Sequence, residues 1–390
     1  MKSLFCTAKF AKPNCKYGNS LFASLFAVGV FCMTPKVSDA LTMPTPLNIR
    51  AGFLGNITLS GALSGLTSYQ SGKYFSGVND NSYRAEIDNA IISIKKYSGI
   101  FRFTMLAGAY NPPSIFLPFV STGARVKNSF GPLLQGYITI VPNENFNVMV
   151  GKFGAIPGLQ AFLTYLNPYV QHGVLGFQEP LVSRGVQLNY NYGNISISFA
   201  LTDGFYTNRY NYLTGQIIYH INRSNAFYVQ AGGNAGNSSF AEGSQGPQVN
   251  EDIYLLAYKY HNNDYSITPT VLFTHVNGAS QLGFSKSQDT AGFSLVGDYH
   301  FTSHYSLGSR IDYLSSTGTP NSTGMNLTTF GPGSNVYNIT ADPTYQDKGF
   351  FTRLELSYTR VTNLSTSLGF GRDMNGNKEF RIMEETGFLF

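Results

Sequence analysis

The stretch NYGNISISFALTDGF, residues 191–205, sets Ile195, Ile197, Phe199 and Leu201 against Ser196, Ser198, Ala200 and Thr202. A period of two belongs to a β-strand with one apolar and one polar face. In a soluble sandwich the apolar face meets a second apolar layer. In a membrane barrel it meets lipid, and the small polar residues line an aqueous interior. The stretch fits both, so the choice falls to the rest of the chain.

The first forty residues read as an export signal. Lys2, Lys9, Lys12 and Lys16 form a basic n-region, LFASLFAVGVFCM (21–33) a short apolar h-region, and SDA (38–40) the small residues of a cleavage site. Cleavage is expected between Ala40 and Leu41, leaving 41–55 as a periplasmic N-terminal segment and 56–390 as the folded body. Cys6, Cys15 and Cys32 all fall in the removable part, so the mature chain has no thiol, disulfide or cysteine metal site. Removing five lysines and Asp39 takes 26 basic and 21 acidic residues to 21 and 20. That near-neutrality removes the electrostatic case for a nucleic-acid partner.

Charged residues are 12% of the chain, against roughly a quarter in ordinary globular proteins, while Phe (31), Tyr (26) and Gly (41) are abundant and Trp is absent. Such a surface faces something other than water. After residue 40 no run of 18 apolar residues occurs, so a membrane-embedded chain must be a closed β-barrel. Alternation predicts sixteen strands: 56–66, 83–96, 101–110, 134–141, 146–153, 183–190, 195–202, 214–222, 226–233, 252–260, 265–274, 289–301, 304–314, 349–358, 364–372 and 378–390.

Connections alternate in length. YSG, PNEN, NYGN, NRSN, HNND, TSH and RVTN are tight and rich in turn formers, and the intervening ones are long. DMNGN (373–377) is the short exception, with Asn375–Gly376 as a hairpin turn. Outer-membrane barrels sort connections in this way, with tight periplasmic turns and long extracellular loops. A soluble sandwich has no reason to. The fold class read from the sequence is therefore all-β, a transmembrane antiparallel β-barrel of about sixteen strands in the bacterial outer membrane. The final strand, FRIMEETGFLF, ends on alternating aromatics, and Phe388 and Phe390 read as the signal recognised by the barrel assembly machinery.

EIDNAIISIKKYSGIFRFTMLAGAY (86–110), VMVGKFGAIPGLQAF (148–162), FQEPLVSRGVQLNY (177–190) and FALTDGF (199–205) resemble the OmpL-like β-barrel porins. The resemblance covers roughly the first half of the mature chain. It implies a water-filled pore giving passive diffusion of small hydrophilic solutes, with no enzymatic activity and no cofactor. On the strand assignments the wall carries Arg84, Lys95, Arg102, Arg310, Arg353 and Arg381 against Glu86, Asp88, Asp298, Asp312, Glu355 and Glu385. The even tally predicts little ion selectivity.

Residues 154–182, the third long connection, are the candidate constriction loop, with Gln160, Tyr165, His172 and Glu179 facing the eyelet and only the last two ionisable. The competing reading is an exposed loop with a short helix near 159–166. Lys152 and Arg184 point outward at the loop ends of neighbouring strands, towards lipopolysaccharide phosphate or plain solvent. Glu384 also points outward, near mid-bilayer. Either a bulge at Glu384 and Glu385 shifts the phase, or this strand and the glycine-rich first strand (Gly61, Gly65) form a contact between copies of the chain; the bulge is favoured.

His300 and His304 share a four-residue spacing, but a tight turn separates them, so no helical metal site forms. Neither a phosphate-binding glycine loop nor a G-x-S-x-G elbow is present. Two alternatives remain: a substrate-specific channel, and a non-conducting binding or adhesion barrel using the loops 234–250 and 315–348. The Asn-x-Ser/Thr triplets at Asn237, Asn321, Asn326 and Asn338 are read as turn chemistry in those loops.

Overall fold

The computed structural model describes residues 41–72, 82–115, 117–239, 246–280 and 283–390. The expected signal segment, Ala40 included, lies outside the described residues, and Leu41 is the first of them.

The strands are β1 (Leu47–Arg50), β2 (Asn56–Gln70), β3 (Tyr83–Lys96), β4 (Phe101–Tyr110), β5 (Leu133–Ile140), β6 (Phe146–Gly154), β7 (Val182–Tyr192), β8 (Ile195–Thr202), β9 (Tyr212–His220), β10 (Asn225–Asn234), β11 (Glu251–His261), β12 (Tyr265–Val276), β13 (Gln288–His300), β14 (Tyr305–Ser316), β15 (Asn335–Asp347), β16 (Phe350–Thr362) and β17 (Lys378–Leu389). From β2 to β17 each strand pairs antiparallel with the next, and β17 pairs with β2. The result is a closed sixteen-strand antiparallel barrel. β1 lies outside that count and pairs with residues 56–59 of β2. Among the described residues no helix is long and apolar enough to cross a membrane.

The opening stretch now has its answer. Ile195, Ile197, Phe199 and Leu201 of β8 point out of the barrel and are 41–48% exposed, while Ala200 and Thr202 are buried inside. The same division runs round the wall: Leu354, Leu356 and Tyr358 of β16 face outward, and Arg353, Glu355, Ser357 and Thr359 face inward. Lipid is the only medium in which such an apolar belt is stable without a second protein layer.

The closing seam depends on one glycine. Gly61 exchanges backbone hydrogen bonds with Phe390, at 2.7 and 3.0 Å. A Cβ at this position would sit 2.3 Å from the Ile91 carbonyl oxygen and 2.5 Å from the Phe390 ring. Only the bare glycine lets β2 approach both neighbours.

The sixteen-strand count stands, but one member differs. Residues 364–372 are not a strand: Asn363, Ser367 and Met374 adopt φ of 54°, 62° and 54°, the left-handed region that breaks strand pairing. The last connection of the long-loop rim therefore runs from 363 to 377, with one isolated bridge, Phe370 to Gly376, in place of a hairpin at DMNGN. The missing strand is β15, inside the segment assigned to the 315–348 loop, so that loop shrinks to 317–334. RVTN belongs mostly to β16, and the tight turn at that point is Lys348–Gly349. Asn338 is accordingly a strand residue, 3% exposed and facing inward, not a turn former.

The bulge favoured at Glu384 and Glu385 is also absent. β17 pairs without a register shift on either side, so Glu384 does point outward, between Leu354 and Thr67. The irregularity falls one strand away, between Ser64 and Gly65 of β2 against β3. There Asp88 and Asn89 both turn inward, which carries β3 from Glu86 to Lys95 with one change of phase.

Candidate functional site

The segment 154–182 between β6 and β7 lies inside the barrel. Its apolar residues dock on apolar patches of the inner wall: Val174, Leu175 and Phe177 join Ile253, Leu255, Leu272 and Leu314. Leu163 and Tyr165 pack with Ala62, Ile91, Leu106 and Phe351. Val170 meets Leu66 and Met383. The segment thus touches wall on several sides of the lumen. Of the short helix expected near 159–166 only a 3-10 turn, Thr164–Leu166, is present.

Three wall arginines bolt this loop in place. Arg310 pairs with Asp312 at 2.8 Å and donates from Nη1 to the Gln171 carbonyl at 2.7 Å. Arg353 pairs with Glu385 at 2.5 Å and donates to the Asn167 carbonyl at 2.9 Å. Arg381 pairs with Glu379 at 2.9 Å and donates to the Ser114 carbonyl, in the preceding loop, and to Gln171 Oε1. Glu355 works in the opposite sense, accepting the backbone N–H groups of Val170 and Gln171 at 2.6 and 2.8 Å. Thr164 Oγ1 donates to Asp88 Oδ2 at 2.5 Å, or alternatively to Glu385 Oε1 at 3.0 Å. Buried charges survive only when paired in this way.

The twelve wall charges read from the sequence therefore divide. Asp88, Arg310, Asp312, Arg353, Glu355, Arg381 and Glu385 are almost fully buried, and all but Arg381's carboxylate partner were identified. Arg84 lies over the Phe119 ring, and Glu86 accepts from Thr122 at the start of helix α1 (Thr122–Asn128). Arg102 donates to the Gly99 carbonyl in the tight turn, and Lys95 lies over Tyr97 in the same region. Asp298 pairs with His300 at 3.1 Å. Four further inward charges escaped the sequence reading: Glu251, Lys259, Asp342 and Glu379. With them the wall carries, among the described residues, seven basic and nine acidic residues in place of six and six.

The candidate eyelet residues brace the loop against itself. Gln160 Oε1 accepts from Gly173 N at 2.9 Å. Tyr165 is 4% exposed, within the second apolar cluster. His172 Nε2 lies 3.0 Å from the Ala161 and Phe162 carbonyls, so it carries the proton and donates. Burial, reinforced by Arg310 and Arg125, lowers its pKa to about 4 and keeps the ring neutral. Glu179 Oε2 accepts from Leu159 N and Gln160 N, yet burial still raises its pKa to about 7.

Water-sized cavities lie against the loop. One, of about 20 Å³, lies between it and β12–β13, bounded by Gln160, Glu179, Thr268, Thr270, Ser294 and Val296 among others. Another, of about 30 Å³, lies nearer the tight-turn rim, bounded by Asn167, Asp298, His300, His304 and Arg353 among others. Two more, of about 50 and 80 Å³, lie against Leu106, Leu134 and Gln135 and against Arg125, Phe130 and His172.

On the outer face, Lys152 and Arg184 are register partners on β6 and β7. Both sit over the Tyr206 ring, and Arg184 pairs with Asp203 at 2.7 Å. Phe388 and Phe390 point outward and are 58% and 40% exposed.

A pore-shaped wall with a loop folded into it defines the outer-membrane porin class. The family model described as "Putative beta-barrel porin-2, OmpL-like" matches residues 56–390, and the chain belongs to that family. Its fold is similar to that of an anion-selective porin from Comamonas acidovorans (11% identity, 86% of this chain and 99% of that chain, TM-score 0.59). The outer membrane channel DcaP of Acinetobacter baumannii is similar too (12%, 86% and 97%, TM-score 0.56). So is OmpT of Vibrio cholerae in its trimer form (10%, 86% and 99%, TM-score 0.52). No curated protein matches the chain. The protein is an outer-membrane β-barrel of the bacterial cell.

Proposed function

We propose that the barrel is a passive diffusion channel for small hydrophilic solutes, with the loop 154–182 as its constriction. One observation supports this above the others: the loop crosses the lumen, held by three arginines, and narrows a polar-lined barrel to water-sized cavities such as the one on its β12–β13 side. A wall bearing so many inward polar groups is stable only when wet. In place of the even wall tally behind weak ion selectivity the described wall carries seven basic and nine acidic residues. No chemical conversion of the solute is part of the proposal.

Single-channel recording in planar bilayers tests it. Ohmic current proportional to salt concentration is expected, rising when residues 159–177 are replaced by a short Gly-Ser linker. A folded barrel that passes no current is instead a binding or adhesion barrel, and current blocked saturably by one solute class marks a substrate-specific channel.

The proposed surroundings follow from the outer face. Export with cleavage before Leu41 predicts a mature mass starting at that residue. Phe388 and Phe390 are assigned to the assembly machinery, and Lys152 with Arg184 to lipopolysaccharide phosphate. Glu384, in a patch of small residues with Thr67, Thr386 and Gly65, is assigned to contact with another copy of the chain. An unpaired carboxylate facing lipid is unfavourable, and small neighbours permit close approach.

A further inference from the structure

The segment LTMPTP (41–46) leads into β1. Pro44 and Pro46 fix φ and carry no N–H, so they oppose continued sheet pairing and stiffen the residues ahead of Leu47 into a leg. Its root is firm. Leu47, Asn48, Ile49 and Arg50 pair in register with Leu59, Thr58, Ile57 and Asn56 of β2. Because β3 holds the other edge of β2 there, β1 occupies the edge that β17 leaves below its last pair, Leu389 with Ala62.

The tip of the leg lies inside the wall. Thr42 N donates to Gln346 Oε1 at 2.8 Å, and Gln346 Nε2 donates back to the Thr42 carbonyl at 2.7 Å. Gln346 follows Asp342 and Thr344 on the inward face of β15 and is the register partner of the inward Phe351. Leu41 packs against the apolar cluster in which Phe351, Leu389 and Ala62 of the wall meet Leu163 and Tyr165 of the constriction loop. Leu41 and Thr42 also bound the 30 Å³ cavity of the tight-turn rim, together with Asn167 and Pro168 of that loop. From β15 to β2 is three strand spacings, about 14 Å, which the five residue steps from Thr42 to Leu47 cover when extended. The leg therefore passes beneath β16 and β17 and sets its tip under the constriction loop, at the periplasmic mouth.

Tip and loop are held with unequal strength. Two neutral hydrogen bonds to one side chain and one partly buried leucine hold the tip, where Thr42 is exposed and Met43 is 37% exposed. The loop has three guanidinium ties, and a charged donor makes a hydrogen bond roughly twice as strong as a neutral one. The tip thus lets go before the loop does, and the root at β1 keeps it close enough to return.

From these contacts we infer that residues 41–46 are a hinged stopper of the periplasmic mouth. Seated, they narrow the exit below the loop; swung out about β1, they widen it while the loop stays in place. The inference rests on the diffusion-channel reading and adds a gate to it. With cleavage before Leu41, as proposed above, the tip is a chain end.

The test is single-channel recording from the processed full barrel carrying Thr42→Cys and Gln346→Cys, the only cysteines left once residues 1–40 are removed. The oxidised disulfide should fix the seated state and hold the current at a lower level; reduction should restore the higher level and the transitions between the two. Gln346→Leu, which removes both hydrogen bonds to Thr42 without a crosslink, should raise the ratio of released to seated time about fivefold or more, and it decides the matter if the disulfide does not form. Heat-modifiable migration on gels reports whether the variants are folded. Current indifferent to the redox state of a formed disulfide, or unchanged in folded Gln346→Leu, overturns the stopper and leaves the diffusion reading intact. Absence of any current from the unmodified barrel overturns both.

Discussion

Arg353→Met isolates one tie between wall and loop. Methionine keeps most of the stem's volume and loses the guanidinium, so the hydrogen bond to the Asn167 carbonyl and the pair with Glu385 both vanish. Only the first joins the loop to the wall. A hydrogen bond from a charged donor is worth about 1.5–3 kcal/mol, so the population of loop-released molecules should rise roughly 10- to 150-fold. Glu385 keeps Ser64 and Asn89 as donors but becomes an unpaired buried carboxylate. Adding Glu385→Gln removes that charge and separates its effect from the lost tie. Leu163→Cys is a suitable reporter, being 1% exposed in a chain whose only cysteines precede residue 33. Its labelling rate with a water-soluble maleimide follows the released fraction. Equal rates with and without Arg353, in a folded barrel, would refute the account of the loop as pinned by the arginine row.

The same reporter reads the acid response of the loop. His172, lowered to about 4 from 6.5, favours the docked loop above pH 6.5 and loses that contribution as pH falls; Glu179, raised to about 7 from 4.5, favours it at low pH and loses that contribution as pH rises. Between 4.5 and 6.5 the two slopes cancel, so wild-type labelling, divided by the rate of an exposed thiol at the same pH, should be flat there. In Glu179→Gln only the histidine slope remains, and docking should weaken by about 1.4 kcal/mol per pH unit below 6.5; a flat profile in that variant contradicts it. Gly61→Ala places a methyl against the Ile91 carbonyl and the Phe390 ring, and should cost about 1–3 kcal/mol of barrel stability, read as a lower urea midpoint in lipid vesicles. Glu384→Leu should leave the barrel folded and convert an assembly seen by native mass spectrometry to single chains; an unchanged assembly removes this face from the contact.

The outer surface of the barrel was legible because lipid imposes a rule on every second residue of every strand. The inner surface obeys no such rule. In β11 Tyr254 and Leu256 face lipid while Ile253 and Leu255 meet the loop, and this two-sided apolar run is the mark of a strand covered on both faces. DIYLLAY carries that mark in the sequence, where alternation alone does not separate its lipid face from its loop face. β15 was hidden by Pro343 and by an inner face of Asn338, Thr340, Asp342 and Thr344, which imitates a polar loop. Its outer face of Tyr337, Ile339 and Tyr345 carries the period of two in plain sight. The charges of the wall could be placed by parity, but not their partners: Arg310 reaches a carbonyl 139 residues away and Arg353 one 186 residues away. Local pattern says which way a side chain points and nothing about what arrives there from across the fold.

Those separations bear on how the molecule is made. The strands whose arginines grip the loop, β14, β16 and β17, follow it by more than a hundred residues, so while the wall is incomplete the segment meets the apolar patches of β2–β4 and none of its three arginine ties. The narrowing is therefore a late product of biogenesis, finished when the last hairpin joins the first, and a barrel stalled one hairpin short would be wide and leaky before it was ever selective.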